Sequence, residues 1–240
     1  MSLRKTAKYQ VRETIVTVIA DEAYHPACLD AICRARADLE LFIAKDPFFQ
    51  STLEPYACPS DAPAIVRRMC DASAPVGVGP MAAVAGTIAE AAVGAMARAG
   101  ATYALVDNGG DIGLLNDETV TVGIYAGQSP IAGLALEIPP GDRILGICTS
   151  SGTVGPSISF GNADAALIIS EDVALADAAA TALGNRITDE KSLATAFDFL
   201  KDVPAVTGAI GIIGDKMATY RQLPKIVRAR VDYEKITKGD

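Results

Sequence analysis

The sequence contains no tryptophan and a single histidine, and aromatic residues make up only 5% of its 240 positions. Zinc sites and Ser-His-Asp hydrolase triads both rely on histidine, so one imidazole argues against either. We interpret that histidine, His25, as a surface residue at the start of a helix before Pro26. Because Ala and Gly are abundant, a core with so few rings must depend on close approach of small residues.

Cysteine is present at five positions, but none of them forms a Cys-x-x-Cys pair. The first residues contain no apolar stretch of the kind found in a secretory signal, which leads us to expect a cytoplasmic protein. An odd number of cysteines in that compartment favours free thiols over a disulfide framework. A small buried hydrophobe is the simplest interpretation of each of the five cysteines. For Cys148, which directly precedes a hydroxyl-rich segment, a thiol exposed where a strand ends is the alternative.

Basic residues are fewer than acidic ones, 21 Lys and Arg against 29 Asp and Glu, so the formal net charge is −8 at pH 7. This excess of negative charge disfavours nucleic acid and anionic membranes as partners. The longest apolar segment, 81–97, is interrupted by Glu90 and consists mostly of small residues. It is too short and too weakly hydrophobic for a membrane span.

Helical periodicity dominates the first hundred residues, and strand-like segments dominate the rest. Short connections between those segments favour antiparallel pairing. We therefore predict a single α+β domain over 1–240, helix-rich over 1–100 and strand-rich over 101–240, with a largely antiparallel sheet and packed helices. The predicted helices cover about 26–46, 61–71, 80–100, 173–186 and 192–200, and the predicted strands cover 14–20, 102–106, 112–115, 119–125, 134–138, 144–149, 165–169, 206–213, 216–220 and 226–233.

The stretch LVDNGGDIGLL, residues 105–115, breaks an apolar run with Asn108, Gly109, Gly110 and Asp111. Asn-Gly is a strong hairpin signal, so a tight turn is the simplest interpretation of this stretch alone. Glycines also let a ligand approach the backbone closely. The same four residues are therefore candidate binding residues.

A second candidate is the loop that follows Cys148, where Thr149, Ser150, Ser151 and Gly152 stand directly after a strand. Hydroxyls and free backbone N–H groups in such a loop can satisfy phosphate oxygens without a basic residue. A long polar loop without a ligand is the alternative.

Small residues recur every four positions along the helix predicted over 80–100, and Gly86 is one of them. Glycine inside a helix costs roughly 1 kcal/mol relative to alanine, so its presence indicates either close packing or ligand access. Both interpretations remain open for Gly86.

The segment LADAAATAL, residues 175–183, places Asp177 and Thr181 four positions apart and therefore on one helical face. A carboxylate, a hydroxyl and backbone carbonyls are the hard oxygen ligands that suit Mg²⁺. The alternative is a solvated helix face.

In their order, these segments resemble the ApbE family, the FAD:protein FMN transferases, over about residues 79–186. AAVAGTIAE (82–90) is similar to that family's Ala-Ile-Ala-Lys-Gly-Tyr-Ala-x-Asp helix, and NGGDI (108–112) to its Gly-Gly-Asp-Ile flavin-site turn. ICTSSG (147–152) resembles its Ala-Thr-Ser-Gly, and LADAAATAL its magnesium-binding Ala-Asp-Ala-x-x-Thr. The similarity is closest to a shorter, uncharacterised branch found largely in anaerobic microbes, which has been loosely linked to sulfur assimilation and homocysteine formation.

The resemblance implies a T-fold-related architecture, FAD as ligand and Mg²⁺ held by Asp177 and Thr181. Three departures count against flavin transfer: Ala85 stands where the transferases have Lys, Glu90 replaces an Asp, and residues 153–164 contain no counterpart of their His-Ile-Ile-Asp-Pro.

Three functions therefore remain open. The first is a divergent FMN transferase acting on a protein acceptor, and the second is a sulfur-transfer protein that uses Cys148 as its reactive residue with a sulfur-pathway partner. The third is a non-catalytic module that binds a nucleotide-like small molecule. A homodimer is expected on general grounds.

Overall fold

The structure, a computed structural model, describes residues 4–152 and 161–229. Within these ranges the predicted strands and most of the predicted helices follow one another in the predicted order, and the structure adds the strand β1 and the short helix α2. The strands are β1 Arg4–Val11, β2 Thr14–Asp21, β3 Ala104–Asn108, β4 Asp111–Leu115, β5 Val120–Ile124, β6 Leu134–Ile138, β7 Leu145–Ser150, β8 Ala165–Ser170, β9 Val206–Ile213, β10 Lys216–Arg221 and β11 Lys225–Arg228. The helices are α1 His25–Lys45, α2 Phe48–Ser51, α3 Ala64–Ser73, α4 Val84–Arg98 and α5 Val173–Arg186.

Eight strands form one sheet in the order β1-β2-β3-β4-β7-β8-β9-β10, and β11-β6-β5 form a second, three-stranded sheet. Neighbouring strands are antiparallel in both sheets. Short connections close the hairpins, as at β3 and β4. The α+β prediction with a largely antiparallel sheet is confirmed.

The large sheet lies between the helices on one face and the small sheet on the other. Side chains alternate along a strand, so β8 directs Ala166 and Ile168 into the helix-side core, and Leu167 and Ile169 into the core shared with the small sheet. The sequence of a strand that is buried on both faces is a continuous apolar run. This explains why polar and apolar residues do not alternate in β8.

Several boundaries differ from the sequence predictions for local reasons. Strand β1 was not predicted because it is an edge strand whose charged residues hide the alternation. Helix α3 begins at Ala64 rather than at residue 61, since Pro63 disfavours a helical conformation in the residue before it. The helix predicted over 192–200 is instead two short 3₁₀ helices, Ser192–Ala194 and Asp198–Asp202. Part of the strand predicted over 226–233 falls outside the described residues.

The segment Pro80–Arg98 is the one helical stretch in the described residues that is long and apolar enough to cross a membrane. It starts as a 3₁₀ helix, Pro80–Ala83, and continues as α4. Helix α4 packs against α1, α5, β3 and β4, so it is a core helix of this fold.

His25 is not a surface residue, because only 3% of it is exposed. Its Nδ1 shares a 2.8 Å hydrogen bond with the hydroxyl of Tyr9, and its Nε2 lies 3.3 Å from the carbonyl oxygen of Ala20. Tyr9 belongs to β1, the strand that the sequence did not predict. The interpretation was wrong because it left out the strand that covers the start of α1.

Candidate functional site

Four separate parts of the chain meet at one end of the large sheet. The turn between β3 and β4 lies beside the end of β7, where Asp111 pairs in register with Cys148. The start of α4 and the middle of α5 cover that end from the helix side. The structure therefore brings together the four segments that the sequence singled out separately.

Gly86 marks the place where α4 and α5 touch. Its N–H donates a 2.7 Å hydrogen bond to Oδ2 of Asp177. A Cβ at this position would lie 2.6 Å from the Cβ of Asp177 and 2.7 Å from the carbonyl oxygen of Val173. Only glycine lets the two helices approach this closely, so packing is the reason for Gly86 that the geometry supports.

The turn at residues 108–111 is a tight two-residue hairpin. Gly109 and Gly110 have φ angles of 72° and 103°, in the region that favours glycine. The N–H of Gly110 donates to Oδ1 of Asp107 at 2.8 Å, and the amide of Asn108 donates to the carbonyl oxygen of Ala85 at 3.1 Å. The hairpin is therefore fixed from inside and tied to the start of α4.

Asp107 shapes this turn, and the sequence prediction omitted it. Asp at the first position of a turn and Gly three residues later is a known turn signature, and that signal was available in the sequence. A Cβ at Gly109 would meet no described atom within 4 Å, so the tip of the turn is open on that side.

Two carboxyl groups, those of Asp111 and Asp177, lie close enough to influence each other's protonation. Burial raises the pKa of Asp177 to about 7 although backbone N–H groups, including that of Gly86, favour its charged form. Burial also raises the pKa of Asp111 well above its usual range, and the charges of Asp177 and Asp107 raise it further. Asp177 is only 7% exposed, so the alternative of a solvated helix face is wrong.

A hard cation would fit these residues chemically. Among the described residues, no Lys or Arg side chain forms an ion pair with Asp111 or Asp177, so no such pair offsets the charge of the two carboxylates. The described residues contain no group of three or more His, Cys, Asp or Glu side chains that could hold a metal ion by themselves. A cation here would therefore depend on Asp177, hydroxyl and carbonyl oxygens and a ligand's own oxygens, as Mg²⁺ commonly does.

Thr181 follows Asp177 by one helical turn and is half-buried. Gly184 lies almost one further turn along the same face, and a Cβ there would lie 3.3 Å from Oγ of Ser150. The face of α5 that carries Asp177 and Thr181 thus runs towards the end of β7.

The first part of the hydroxyl loop is held at its base. The N–H of Thr149 donates to the carbonyl oxygen of Gly110 at 3.2 Å, which joins the loop to the glycine turn. The N–H of Gly152 donates to the carbonyl oxygen of Ala163 at 2.9 Å, and Oγ of Ser151 lies 3.5 Å from that oxygen. The rest of the loop, residues 153–160, lies outside the described residues.

Cys148 is buried, so the interpretation as a small buried residue is confirmed and the alternative of a thiol exposed at the strand end is wrong. Its side chain is fully buried, and Sγ lies 3.6 Å from the carbonyl oxygen of Val173. Burial raises the pKa of its thiol well above the usual value, and the neighbouring Asp111 and Asp177 raise it further. The strand end was placed correctly, but α5 covers it. A thiol that stays protonated is a poor nucleophile.

Glu90, which replaces an Asp of the transferases, has a structural role. Its carboxylate accepts two 2.8 Å hydrogen bonds from the guanidinium of Arg68, and Oε2 lies 3.2 Å from the N–H of Ala174. Arg68 also pairs with Asp172, whose side chain caps α5 by accepting from the N–H of Leu175. This network joins α3, α4 and α5 beside the site.

We expect Arg68→Met to destabilise the protein by about 1–3 kcal/mol, because it leaves two partly buried carboxylates without their cation. Urea denaturation at neutral pH measures this loss. Arg67→Met is the matched control, since Arg67 is exposed and its guanidinium donates to the carbonyl oxygen of Ala62. Equal stability losses in both variants would show that the network does not stabilise the helix layer.

A cleft of about 780 Å³ lies at the opposite end of the large sheet. Its lining includes Arg143, Leu145, Ile169, Thr207 and Leu223, and it contains none of the predicted site residues. The four-segment site and this cleft are therefore separate features.

The fold is similar to that of solved flavin transferases. It aligns with the apo form of the flavinyl transferase ApbE from Pseudomonas stutzeri at a TM-score of 0.57, with 12% identity over 91% of this chain and 94% of the other. An H257G mutant of the flavin transferase ApbE from Vibrio cholerae gives a TM-score of 0.52, also at 12% identity, over 91% of this chain and 97% of the other. The fold therefore defines an ApbE-like class of protein.

A family model described as AbpE bacteria matches residues 2–207. A UPF0280 protein from Methanocella arvoryzae is 78% identical over 99% of this chain and 97% of its own length. A second, from Methanosarcina acetivorans, is 57% identical over 96% of this chain and 92% of its own length. The chain therefore belongs to this family of ApbE-like UPF0280 proteins, and the resemblance inferred from the motifs is confirmed.

Proposed function

We propose that this protein binds a flavin dinucleotide such as FAD together with Mg²⁺ at the four-segment site. The observation that carries the proposal is the buried carboxyl of Asp177, which accepts a hydrogen bond from the N–H of Gly86 and lies near Asp111. Neither carboxylate forms an ion pair with a Lys or Arg side chain of the described residues. Mg²⁺ would join Asp177 and Thr181 to the pyrophosphate oxygens of the ligand. The turn at 108–111 and the hydroxyls of 149–151 would position the rest of it.

Flavin transfer to a protein hydroxyl is the extension of this proposal. When bound, Mg²⁺ would neutralise charge on the pyrophosphate, which is the electrostatic part of such a reaction. The chain has alanine at position 85 and no histidine over 153–164, and its one histidine is buried beside Tyr9. Binding is therefore the better supported part, and a nucleotide-binding module without turnover is the second candidate.

The test of binding is a titration of FAD with purified protein, with and without Mg²⁺, followed by quenching of flavin fluorescence. We expect binding that depends on Mg²⁺. Binding that is equally strong in the presence of a chelator would contradict the metal role, and failure to bind FAD at all would overturn the proposal.

Thr181→Val tests the hydroxyl ligand in the same titration. We expect the affinity for FAD in Mg²⁺ to fall about tenfold, which corresponds to the loss of about one ligand contact. Thr195→Val is the control, because Thr195 is exposed and its hydroxyl donates to the carbonyl oxygen of Ser192 instead. Unchanged affinity in Thr181→Val would show that Asp177 acts without this hydroxyl.

Two partner proposals remain tied to this function. A protein acceptor would be revealed by covalent flavin fluorescence on a Ser/Thr peptide, with an authentic transferase as positive control.

A homodimer is tested by light scattering of the full chain. A single monomeric mass over the accessible concentration range would contradict the dimer.

A further inference from the structure

The cleft at the far end of the large sheet from the candidate site lies where the chain passes between the two sheets. The connection 139–144 leads from β6 in the small sheet to β7 in the large one, and the connection 222–224 leads from β10 back to β11. Residues of both connections line the cleft. Its volume of about 780 Å³ falls within the range of roughly 300–1,000 Å³ that is usual for pockets that bind small molecules.

The floor of the cleft is apolar. Ile138 of β6 and Ile169 of β8 are buried in the core between the two sheets, and Leu145 and Leu223 pack against that core and are half-buried. These side chains come from both sheets, so the cleft opens into the end of the core that the sheets share. A ligand that covers this floor needs an apolar body, because burying apolar surface is the contribution such a floor makes to binding.

Arg221 stands at the end of β10, and its side chain is fixed in place. Its φ angle is 58°, in the left-handed region that residues other than glycine rarely adopt. Its guanidinium donates hydrogen bonds of 2.5–3.2 Å to the carbonyl oxygens of Leu200, Val203, Pro204 and Val206. Backbone strain that the surrounding structure maintains is typical of ligand clamps.

A glycine of the large sheet keeps the wall beside Arg221 close to the cleft. A Cβ at Gly208 would lie 2.6 Å from the carbonyl oxygen of Gln222 and 2.8 Å from Cδ2 of Leu223. Any larger residue would push the connection 222–224 away from β9. The position of this wall therefore depends on a close approach that only glycine allows.

The guanidinium of Arg221 retains hydrogen-bonding capacity and charge for a ligand. Nη1 donates to three of the four carbonyl oxygens and Nη2 to the fourth, so among the described residues Nε–H and one Nη2–H have no acceptor. Arg221 also forms no ion pair with a described residue. The neighbouring segments 204–207 and 222–224 contain no acidic residue.

The other charged residues of the cleft lie on the side of β7 and β8. Arg143 pairs with Glu171 through a 2.6 Å contact between Nη1 and Oε2, and Asp142 is exposed beside them. Strands β8 and β9 separate β7 from β10 in the sheet, so Arg221 is set apart from Arg143 and Asp142. The side of the cleft at Arg221 is therefore positive, whereas the charges on the other side include both signs.

We propose that this cleft binds an organic anion that has an apolar body and a single carboxylate or phosphate head group. The apolar body lies on the floor between the two sheets. The head group accepts hydrogen bonds from Arg221, because a planar guanidinium presents N–H groups in a fork that matches either kind of head group. The site is separate from the four-segment site, so it does not depend on the binding of a flavin.

The experiment titrates the full-length protein with three probes that share one apolar body, octyl phosphate, octanoate and 1-octanol, and follows binding by isothermal titration calorimetry. We expect at least one anion to bind with a stoichiometry of one, and 1-octanol to bind at least about tenfold more weakly. The anion that binds more tightly identifies the head group. If neither anion binds, or if 1-octanol binds as tightly as they do, the proposal is overturned.

Arg221→Met should weaken the binding of the preferred anion by about tenfold or more, because it removes a charged hydrogen-bond donor. Arg12→Met is the matched control. Arg12 is also an exposed arginine with a positive φ, 55°, but it lies in the turn between β1 and β2. Equal losses of affinity in the two variants would contradict a role for Arg221.

A second variant leaves Arg221 and its hydrogen bonds in place. Thr207 is exposed on β9 and lines the cleft, so Thr207→Trp should fill part of it and weaken the binding of the anion. Hydrogen–deuterium exchange of the wild type with the bound anion should slow in 139–144 and 222–224 and stay unchanged at the turn 108–111. Wild-type affinity in Thr207→Trp, or slower exchange at the turn instead of the two connections, would rule out this cleft as the binding site.

Discussion

Asp177→Asn is expected to make the protein more stable at pH 8 and to abolish its Mg²⁺-dependent binding of FAD. Asparagine has nearly the same shape as aspartate and keeps an oxygen that can accept from the N–H of Gly86. It removes a charge from a side chain that is 7% exposed. Stability and binding should therefore change in opposite directions.

The pH dependence follows from the raised pKa of Asp177, about 7 in the folded protein against a usual value of 3.8. Between these values the folded state holds more protons than the unfolded state, so the free energy of unfolding falls as the pH rises. The cost of ionisation is complete above pH 7 and absent below pH 4. We expect Asp177→Asn to gain about 2–4 kcal/mol at pH 8 and nothing at pH 4.

Urea denaturation in the presence of a chelator, repeated across this pH range, measures the effect. Asp142→Asn is the matched control, because it makes the same substitution at an exposed position in the loop before β7. A stability difference between Asp177→Asn and the wild type that does not vary with pH would contradict the buried charge. Mg²⁺-dependent FAD binding retained by the variant would contradict the metal role.

The features of the site that could be predicted from the sequence are those that depend on residue types at fixed spacings. Asp177 and Thr181 are one helical turn apart wherever the helix lies, and two consecutive glycines after asparagine specify a hairpin in almost any context. The order of strands also followed from short connections between apolar runs. These features depend on neighbours in the chain, which a single sequence displays directly.

The burial of individual side chains could not be predicted from the local sequence pattern. Cys148 ends a strand, but whether its thiol meets solvent depends on α5, which follows later in the chain and covers it. His25 was misplaced because an edge strand with four charged or polar positions in its first five residues gave too weak a signal to be recognised. Glu90 looked like an altered site residue, but its partner, Arg68, is known only from the packing of α3 on α4. Each error concerns a contact between distant segments.

Gly86→Ala is expected to destabilise the protein by about 1–3 kcal/mol and to disrupt the candidate site. In an exposed helix the same change would stabilise, since alanine is favoured over glycine by roughly 1 kcal/mol. Here the added Cβ would lie 2.7 Å from the backbone oxygen of Val173, which cannot move without shifting α5. The hydrogen bond from the N–H of Gly86 to Asp177 would be lost with that shift.

Gly94→Ala provides the matched control two turns further along α4. A Cβ at Gly94 would lie 3.2 Å from Nη1 of Arg98, the far end of a flexible side chain that can move aside. We therefore expect Gly94→Ala to be neutral or to stabilise by about 0.5–1 kcal/mol. Urea denaturation measures the stability of the two variants, and the FAD titration measures their binding. If both variants stabilise equally, the close approach of α4 and α5 at Gly86 is not what holds Asp177 in place. If only Gly86→Ala loses stability and binding, the glycine positions the carboxylate by steric fit.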